Sequence, residues 1–304
     1  GRRLIDYVKS GEVAAASQID ALRHYDYDAV FAIFDACVET EAAGSTIEFR
    51  DDIYPAVTDF VIKPDTDPEK LKLPDPEQDG RMPELLKCVS TLRKKVGEKT
   101  LVIGTTIGPT TVLTQLMGMQ QALFLAIDEP ERFEKMFNYA EALVRRFGEA
   151  QLKAGAHLVL TFDPTASQTV VPPQFYREFI LPRHARLFKA YKEAGAIANW
   201  IHSAGRIHDI LPFYKQTGVE VANFDFEVDA KTAAERVGNI CLDGNIKPLS
   251  FVYDNPQSIR VQSLELLRFF KERGGFILSS GCEIPPEAKP ENITAMVMAA
   301  REEY

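Results

Sequence analysis

The side chains in this sequence best suited to chemistry are one histidine, two thiols and a set of carboxylates. Each lies at or beside the end of a short apolar run. His202 follows AIANWI, Cys282 follows GFILSSG, and Cys241 lies inside NICLDGN, which ends at Asn245. Asp35, Asp163 and Asp225 end DAVFAIFD, HLVLTFD and VEVANFD. A neutral imidazole and a thiolate are zinc ligands, and a thiolate with a depressed pKa is also a nucleophile. Several carboxylates at one mouth could bind a cation, steer a proton or complete a metal site. Each residue also has a plainer use. Cys282, in SSGCEIPP, could close a turn, His202 could bond a loop carbonyl, and Cys241 could be core. An aspartate could pair with an Arg or Lys of a neighbouring loop, such as Arg183 or Arg206, because an ionised group at a buried strand end needs a partner or a task.

Such residues become neighbours only if the runs are parallel strands. Together with TLVIGTT, ending at Thr106, there are seven runs, each giving way to a helix-like or turn-rich stretch. Short continuous apolar runs followed by amphipathic segments mark buried parallel strands with crossover helices. In a closed barrel of such units the strand C-termini converge on one face, where the chemistry sits. The expectation is an α/β chain forming a single (β/α)8 barrel domain over residues 1–304. Seven runs are visible where eight are wanted, and the chain opens with Gly1 rather than methionine, so the first strand is expected to be missing or truncated.

Helical spacing is expected over 12–27, 81–97 (closed by Gly97), 172–194, 205–217, 229–236, 255–273 and 290–303. The clearest helix is 129–154, with Phe133, Met136, Phe137, Ala140, Leu143, Val144 and Phe147 on one stripe and Gly155 at its end. Residues 45–62 alternate like a β-hairpin, and the proline- and acid-rich segment after them reads as an exposed connection. In IGPTT, Thr110 or Thr111 could cap a following helix.

The 304 residues carry a net charge of −9, which argues against nucleic acid or an anionic membrane as main partner. No apolar stretch approaches a membrane span, and nothing resembles a signal peptide. Four cysteines in a chain this long are no disulfide framework, so cytoplasmic thiols are expected. No dinucleotide fingerprint, phosphate-binding loop or serine elbow follows any strand.

Taken together, the motifs resemble the uroporphyrinogen decarboxylase superfamily over essentially the whole chain. FDACVETEAAG is similar to its aspartate-bearing strand, with Asp35 followed nine residues later by Gly44. IGPTTVLTQLMG, LDGNIKP and SSGCEIPPEAKPENITAMV resemble its Gly-Pro-x-Thr-Leu, Gly-Asn-x-x-Pro and C-terminal motifs. The resemblance implies a (β/α)8 TIM barrel of uroporphyrinogen decarboxylase type. Cys282 in the C-terminal motif and FDPTAS around Asp163 look like the corrinoid-dependent methyltransferase branch, whereas decarboxylases carry a histidine in that motif and an arginine-rich start. Of that start Gly1-Arg2 could be the tail.

The methyltransferase resemblance implies a methyl group moving between a small substrate (thiol, alcohol, amine or methoxyarene) and the cobalt of a separate corrinoid protein. It also implies Zn(2+), held by His202, Cys282 and, as the weakest candidate, Cys241. Asp35 and Asp163 would orient substrate or manage a proton, and Asp225 and Asn245 would line the cofactor side. The branch's zinc motif is His-x-Cys, but this chain reads His202-Ser203-Ala204, so Cys241 or a carboxylate such as Asp225 replaces the missing donor, or the metal is lost. A homodimer is expected for the superfamily. The competing expectation is a carboxy-lyase acting on a porphyrinogen, with Asp35 on the pyrrole NH groups and Arg2, Arg183 and Arg206 as its cations.

Overall fold

The computed structural model describes residues 3–51, 53–96 and 99–303. They divide into two compact units, Gly1–Leu22 with Asp28–Asp163 and Arg186–Ile197, and Arg23–Tyr27 with Pro164–Ala185 and Ala198–Tyr304. Arg2 and Gly97 lie outside the described residues.

The first unit holds β1 (Ala29–Ala32), β2 (Thr46–Glu48), β3 (Ala56–Asp59), β4 (Leu101–Ile107) and β5 (Leu158–Phe162). β1 pairs in parallel with β4, Ala29 facing Leu101, and β4 with β5, Ile107 facing Phe162. β2 and β3 form the expected antiparallel hairpin. The helix Pro130–Lys153 buries the whole predicted stripe from Phe133 to Phe147. Each large apolar side chain so buried contributes about 1.5–3 kcal/mol. Past its end Gly155 adopts a φ of 115°, a conformation that disfavours any side chain. Two helices, Pro109–Met117 and Met119–Asp128, lie outside the expected helical ranges, although a helix was expected to follow the threonines of IGPTT. Their apolar residues leave little polar face to reveal a period, and only Gly118 separates them.

The second unit holds β6 (Asn199–His202), β7 (Val221–Asn223), β8 (Cys241–Ile246) and β9 (Phe276–Ser280), all parallel to their neighbours. Helices Pro256–Lys271 and Pro290–Glu303 meet the expected ranges closely, the first capped by the Asn255 side chain on the Ser258 amide. Leu264, Leu267 and Ala299 from these helices pack on Phe276 and Leu278 of β9. The expected helix 205–217 shrinks to Leu211–Tyr214. The start of 172–194 is a short helical turn followed by a π-helical turn over Tyr176–Ile180. Among the described residues no helix is long and apolar enough to cross a membrane.

Gly148, within the long helix, faces the buried ring of Tyr191, whose hydroxyl donates to the Val144 carbonyl at 3.2 Å. A Cβ at 148 would overlap that ring. Gly148→Ala is expected to lower unfolding stability by about 1–3 kcal/mol, the range for forced overpacking, read as a lowered urea midpoint at unchanged m-value.

Candidate functional site

Parallel pairing aligns the ends of β6 to β9. In register, His202 faces Asn223, Asn223 faces Asp243, and Asn245 faces Ser279. His202, the last residue of β6, and Cys282, two past β9, meet with Nε2 and Sγ 3.7 Å apart. Burial drives the His202 pKa down to about 4, against the opposing pull of Asp225 and Asn223, so the imidazole is neutral at physiological pH. Burial pushes the Cys282 thiol above its ordinary value; the Glu283 amide lowers it, and the charges of Asp225 and Glu283 add to the rise.

The turn bearing Cys282 fits because Gly281 has no side chain. A Cβ there would stand 2.6 Å from the Phe226 amide nitrogen. The Gly281 N–H donates to the Ile246 carbonyl at 2.8 Å, and Ser280 Oγ donates to the Cys282 carbonyl at 2.6 Å. Asp225 is buried, its two carboxylate oxygens accepting from the Gly205 and Glu227 amides at 2.9 and 3.0 Å. Asn245 donates to the Val228 and Asp225 carbonyls at 2.8 and 3.3 Å. Its side-chain amide therefore ties down the loop after β7.

Cys241 is not brought to this pair. It opens β8 opposite Val221, two residues below the level of Asn223 and Asp243, about 7 Å along a strand. Its thiol lies 3.8 Å from the Leu242 carbonyl.

In the first unit the carboxylates are met by donors of the same unit. Asp35 is fully buried and clamped by both terminal nitrogens of Arg81, with the Cys37 amide at 2.8 Å. Arg81 also binds Glu41 through Nε at 2.5 Å and the Val8 carbonyl at 2.9 Å, and it lies 4.8 Å from the centre of the Phe49 ring. The aspartates were expected to pair with an Arg or Lys of a neighbouring loop, such as Arg183 or Arg206; for Asp35 the partner is Arg81. Asp163 accepts from the Thr111 amide and hydroxyl, both at 2.8 Å, and from the Thr110 amide at 3.3 Å. A carboxylate at the start of helix Pro109–Met117 meets its free amides and the positive end of its dipole. The expected threonine cap is thus reversed: the cap is Asp163, and the threonines donate to it.

Glu39, Arg81, Asn223 and Asp243 carry much of this network, and sequence reasoning assigned them no role. Alternation along VEVANFD and NICLDGN could have flagged Asn223 and Asp243 as polar residues inside apolar strands. Glu39 and Arg81 lie on helix and loop, where charged side chains are ordinary.

A zinc site can be tested on these donors. Two ligands of a tetrahedral zinc, at about 2.1 Å for nitrogen and 2.3 Å for sulfur, stand about 3.6 Å apart. The His202–Cys282 separation of 3.7 Å fits that span. Among the described residues no group of three or more His, Cys, Asp or Glu is arranged around one cation position. Ala204 offers no donor. The charge of Asp225 acts on both members of the pair, which makes its carboxylate the candidate third donor.

The model of the uroporphyrinogen decarboxylase (URO-D) family matches residues 1–303, and the chain belongs to that family. Within it, the chain is 28% identical to the methylcobamide:CoM methyltransferase MtbA of Methanosarcina acetivorans, over 90% of this chain and 80% of the relative. It is 27% identical to the uroporphyrinogen decarboxylase of Hydrogenovibrio crunogenus, over 98% and 85%. A solved methyltransferase from Methanosarcina mazei superposes with a TM-score of 0.90 at 25% identity, covering 99% of this chain and 90% of that one. The fold is that of the family's α/β TIM barrel, with seven parallel strands among the described residues.

Glu39 supplies a pH prediction. It is fully buried, accepting from the Ile107 amide at 2.7 Å, and burial pushes its pKa up to about 7, from 4.5. The folded state then holds a proton that the unfolded chain releases, so this stabilisation is complete below pH 4.5 and is lost as pH rises through 7. Glu39→Gln keeps the acceptor oxygen without the charge. Its stability relative to the parent should rise between pH 4.5 and 8 by up to about 3 kcal/mol, from 1.36 kcal/mol per pKa unit, measured by urea unfolding across that range.

Proposed function

We propose that this chain is a methyltransferase that moves a methyl group between a small substrate and the cobalt of a separate corrinoid protein. The observation that carries the reading is the His202–Cys282 pair, 3.7 Å apart beyond the C-terminal ends of parallel strands, where barrels of this class place their chemistry. The similarity to a methylcobamide:CoM methyltransferase supports it. The partners are then a corrinoid carrier and a small thiol acceptor or methylated donor, in the cytoplasm.

His202 and Cys282 are the residues that would hold zinc, with Asp225 as third donor in preference to Cys241, which lies lower on β8. When bound, zinc supplies Lewis acidity that lowers the pKa of a substrate thiol or polarises an ether or alcohol oxygen. The chain's own part is to present a neutral imidazole and a half-buried sulfur at a fixed separation. Asp225 adds negative charge beside them and holds the 205 and 227 amides in place. Asp35 and Asp163 were expected to handle substrate or a proton. Their oxygens already accept from Arg81, Cys37 and the threonines, so we assign them to positioning the loops of their own unit.

The second reading, decarboxylation of a porphyrinogen, is favoured by the length of the match to a decarboxylase. It requires Asp35 to face substrate, whereas Asp35 faces Arg81. Arg183, one of its proposed cations, is buried and donates to the Phe179 carbonyl at 2.7 Å.

Incubation with methylcobalamin and a panel of thiols, following loss of the methyl–cobalt absorption, tests the proposal. Cys282→Ala and His202→Ala should each lower the rate by at least about 100-fold, since removing even a partner of a metal ligand costs 10–100-fold. Full activity in Cys282→Ala, or less than about a tenth of an equivalent of zinc in protein purified without chelator, would sink the zinc form. Carbon dioxide release from uroporphyrinogen, with no demethylation, would establish the second reading.

A further inference from the structure

We propose that Gln168 is a positioning residue that fixes the loop after β6 and thereby seats the Gly205 amide on Asp225. Gln168 lies in the segment 164–171 and its partners in the segment 203–210, both within the second unit. Residues 203–210 form no helix or strand, so their course depends on what ties them down.

Three hydrogen bonds from this one residue cross between the segments. Its backbone amide donates to the Arg206 carbonyl at 2.9 Å. Its side-chain nitrogen donates to Asp209 Oδ2 at 2.9 Å, and its side-chain oxygen accepts from the Asp209 amide at 2.6 Å. A carboxylate only accepts and a backbone N–H only donates, so both ends of the glutamine amide are assigned by their partners. Asp209 is anchored from the other side as well. Its Oδ1 takes Arg236, on the helix Ala230–Val237, at 2.8 Å, and His208 Nε2 lies 3.4 Å from Oδ2.

Gly205 lies next to these ties. Its amide donates to Asp225 Oδ2 at 2.9 Å. Thr169, the neighbour of Gln168, accepts from the Arg206 amide at 3.2 Å and stands so close that a Cβ at 205 would lie 2.5 Å from its Oγ1. The stretch 203–206 is therefore strung between two supports. One is β6, whose last residue, His202, is in register with Asn223 of β7. The other is the Gln168–Asp209 clasp. A shift at the clasp passes directly to the Gly205 amide and so to the carboxylate it holds.

The test is hydrogen–deuterium exchange followed by NMR on the full chain, comparing the amides of Gly205 and Ser258. Ser258, capped by Asn255 on another helix, reports general loosening. In the parent protein the Gly205 amide is expected to be protected. Gln168→Glu sets a carboxylate against that of Asp209. It should lower protection at Gly205 about 10-fold, the effect of one lost hydrogen bond, and leave Ser258 unchanged. Adding Asp209→Asn reverses the direction of the side-chain bond, leaves an oxygen for Arg236 and keeps the net charge of the parent, so protection should return. An unprotected Gly205 amide in the parent overturns the proposal without any variant. Parent-like protection in folded Gln168→Glu, an equal loss at Ser258, or no recovery in the folded double variant overturns it as well.

The catalytic meaning of the clasp rests on the methyl-transfer reading, in which Asp225 stands beside the His202–Cys282 pair. On that reading Gln168→Glu lowers kcat about 10-fold with KM nearly unchanged, and the double variant recovers it. The exchange result is decisive even if the parent protein transfers no methyl group, so the two ideas fail separately.

Discussion

A carboxylate taken out of water must be met by donors, and the arrangement of both units follows from how this chain meets that demand. Asp35 takes a guanidinium and a backbone amide, Asp163 the free amides of a helix start, and Asp225 two loop amides. Asp243 takes a hydroxyl and a side-chain amide. Each solution ties a strand end to a different stretch of the same unit. The loops that carry His202, Cys282 and the start of helix Pro109–Met117 are thereby held in place without disulfides, all four cysteines being free.

The same demand separates residues that shape the site from those that can act in it. Asp35 and Asp163 are engaged on both oxygens. His202 and Cys282 face each other, and in our reading they are the groups turned toward chemistry. Ala204 offers no donor at the central position, so in our reading only the pair and a neighbouring carboxylate are left to hold a metal. Asp225 is held by two amides, one on each oxygen, which fixes the loops on either side of it.

Much of the strand framework was legible in the sequence because buried parallel strands are written as continuous apolar runs. Of the seven runs, those ending at His202 and Cys282 led directly to the contacting pair. The long helix Pro130–Lys153 was legible because one face is polar and the other is not. Of the helices Pro109–Met117 and Met119–Asp128, only the start of the first was legible, at IGPTT, because burial of the first and an apolar exposed face on the second erase the contrast that a period needs. Partner identity was the least legible layer. Asp35 and Arg81 are 46 residues apart, and nothing local in either segment names the other. Asn223 was hidden in another way, since one polar letter inside an apolar strand reads as an exception until register shows what faces it.

The guanidinium of Arg81 reaches the Val8 carbonyl, Asp35 and Glu41, three stretches near the beginning of the chain. One side chain is thus a rivet through three layers, and removing it strips a partner from each at once. Backbone amides around residues 8, 35 and 41 should exchange with deuterium at a common opening rate, as a single cooperative patch rather than as separate fraying segments.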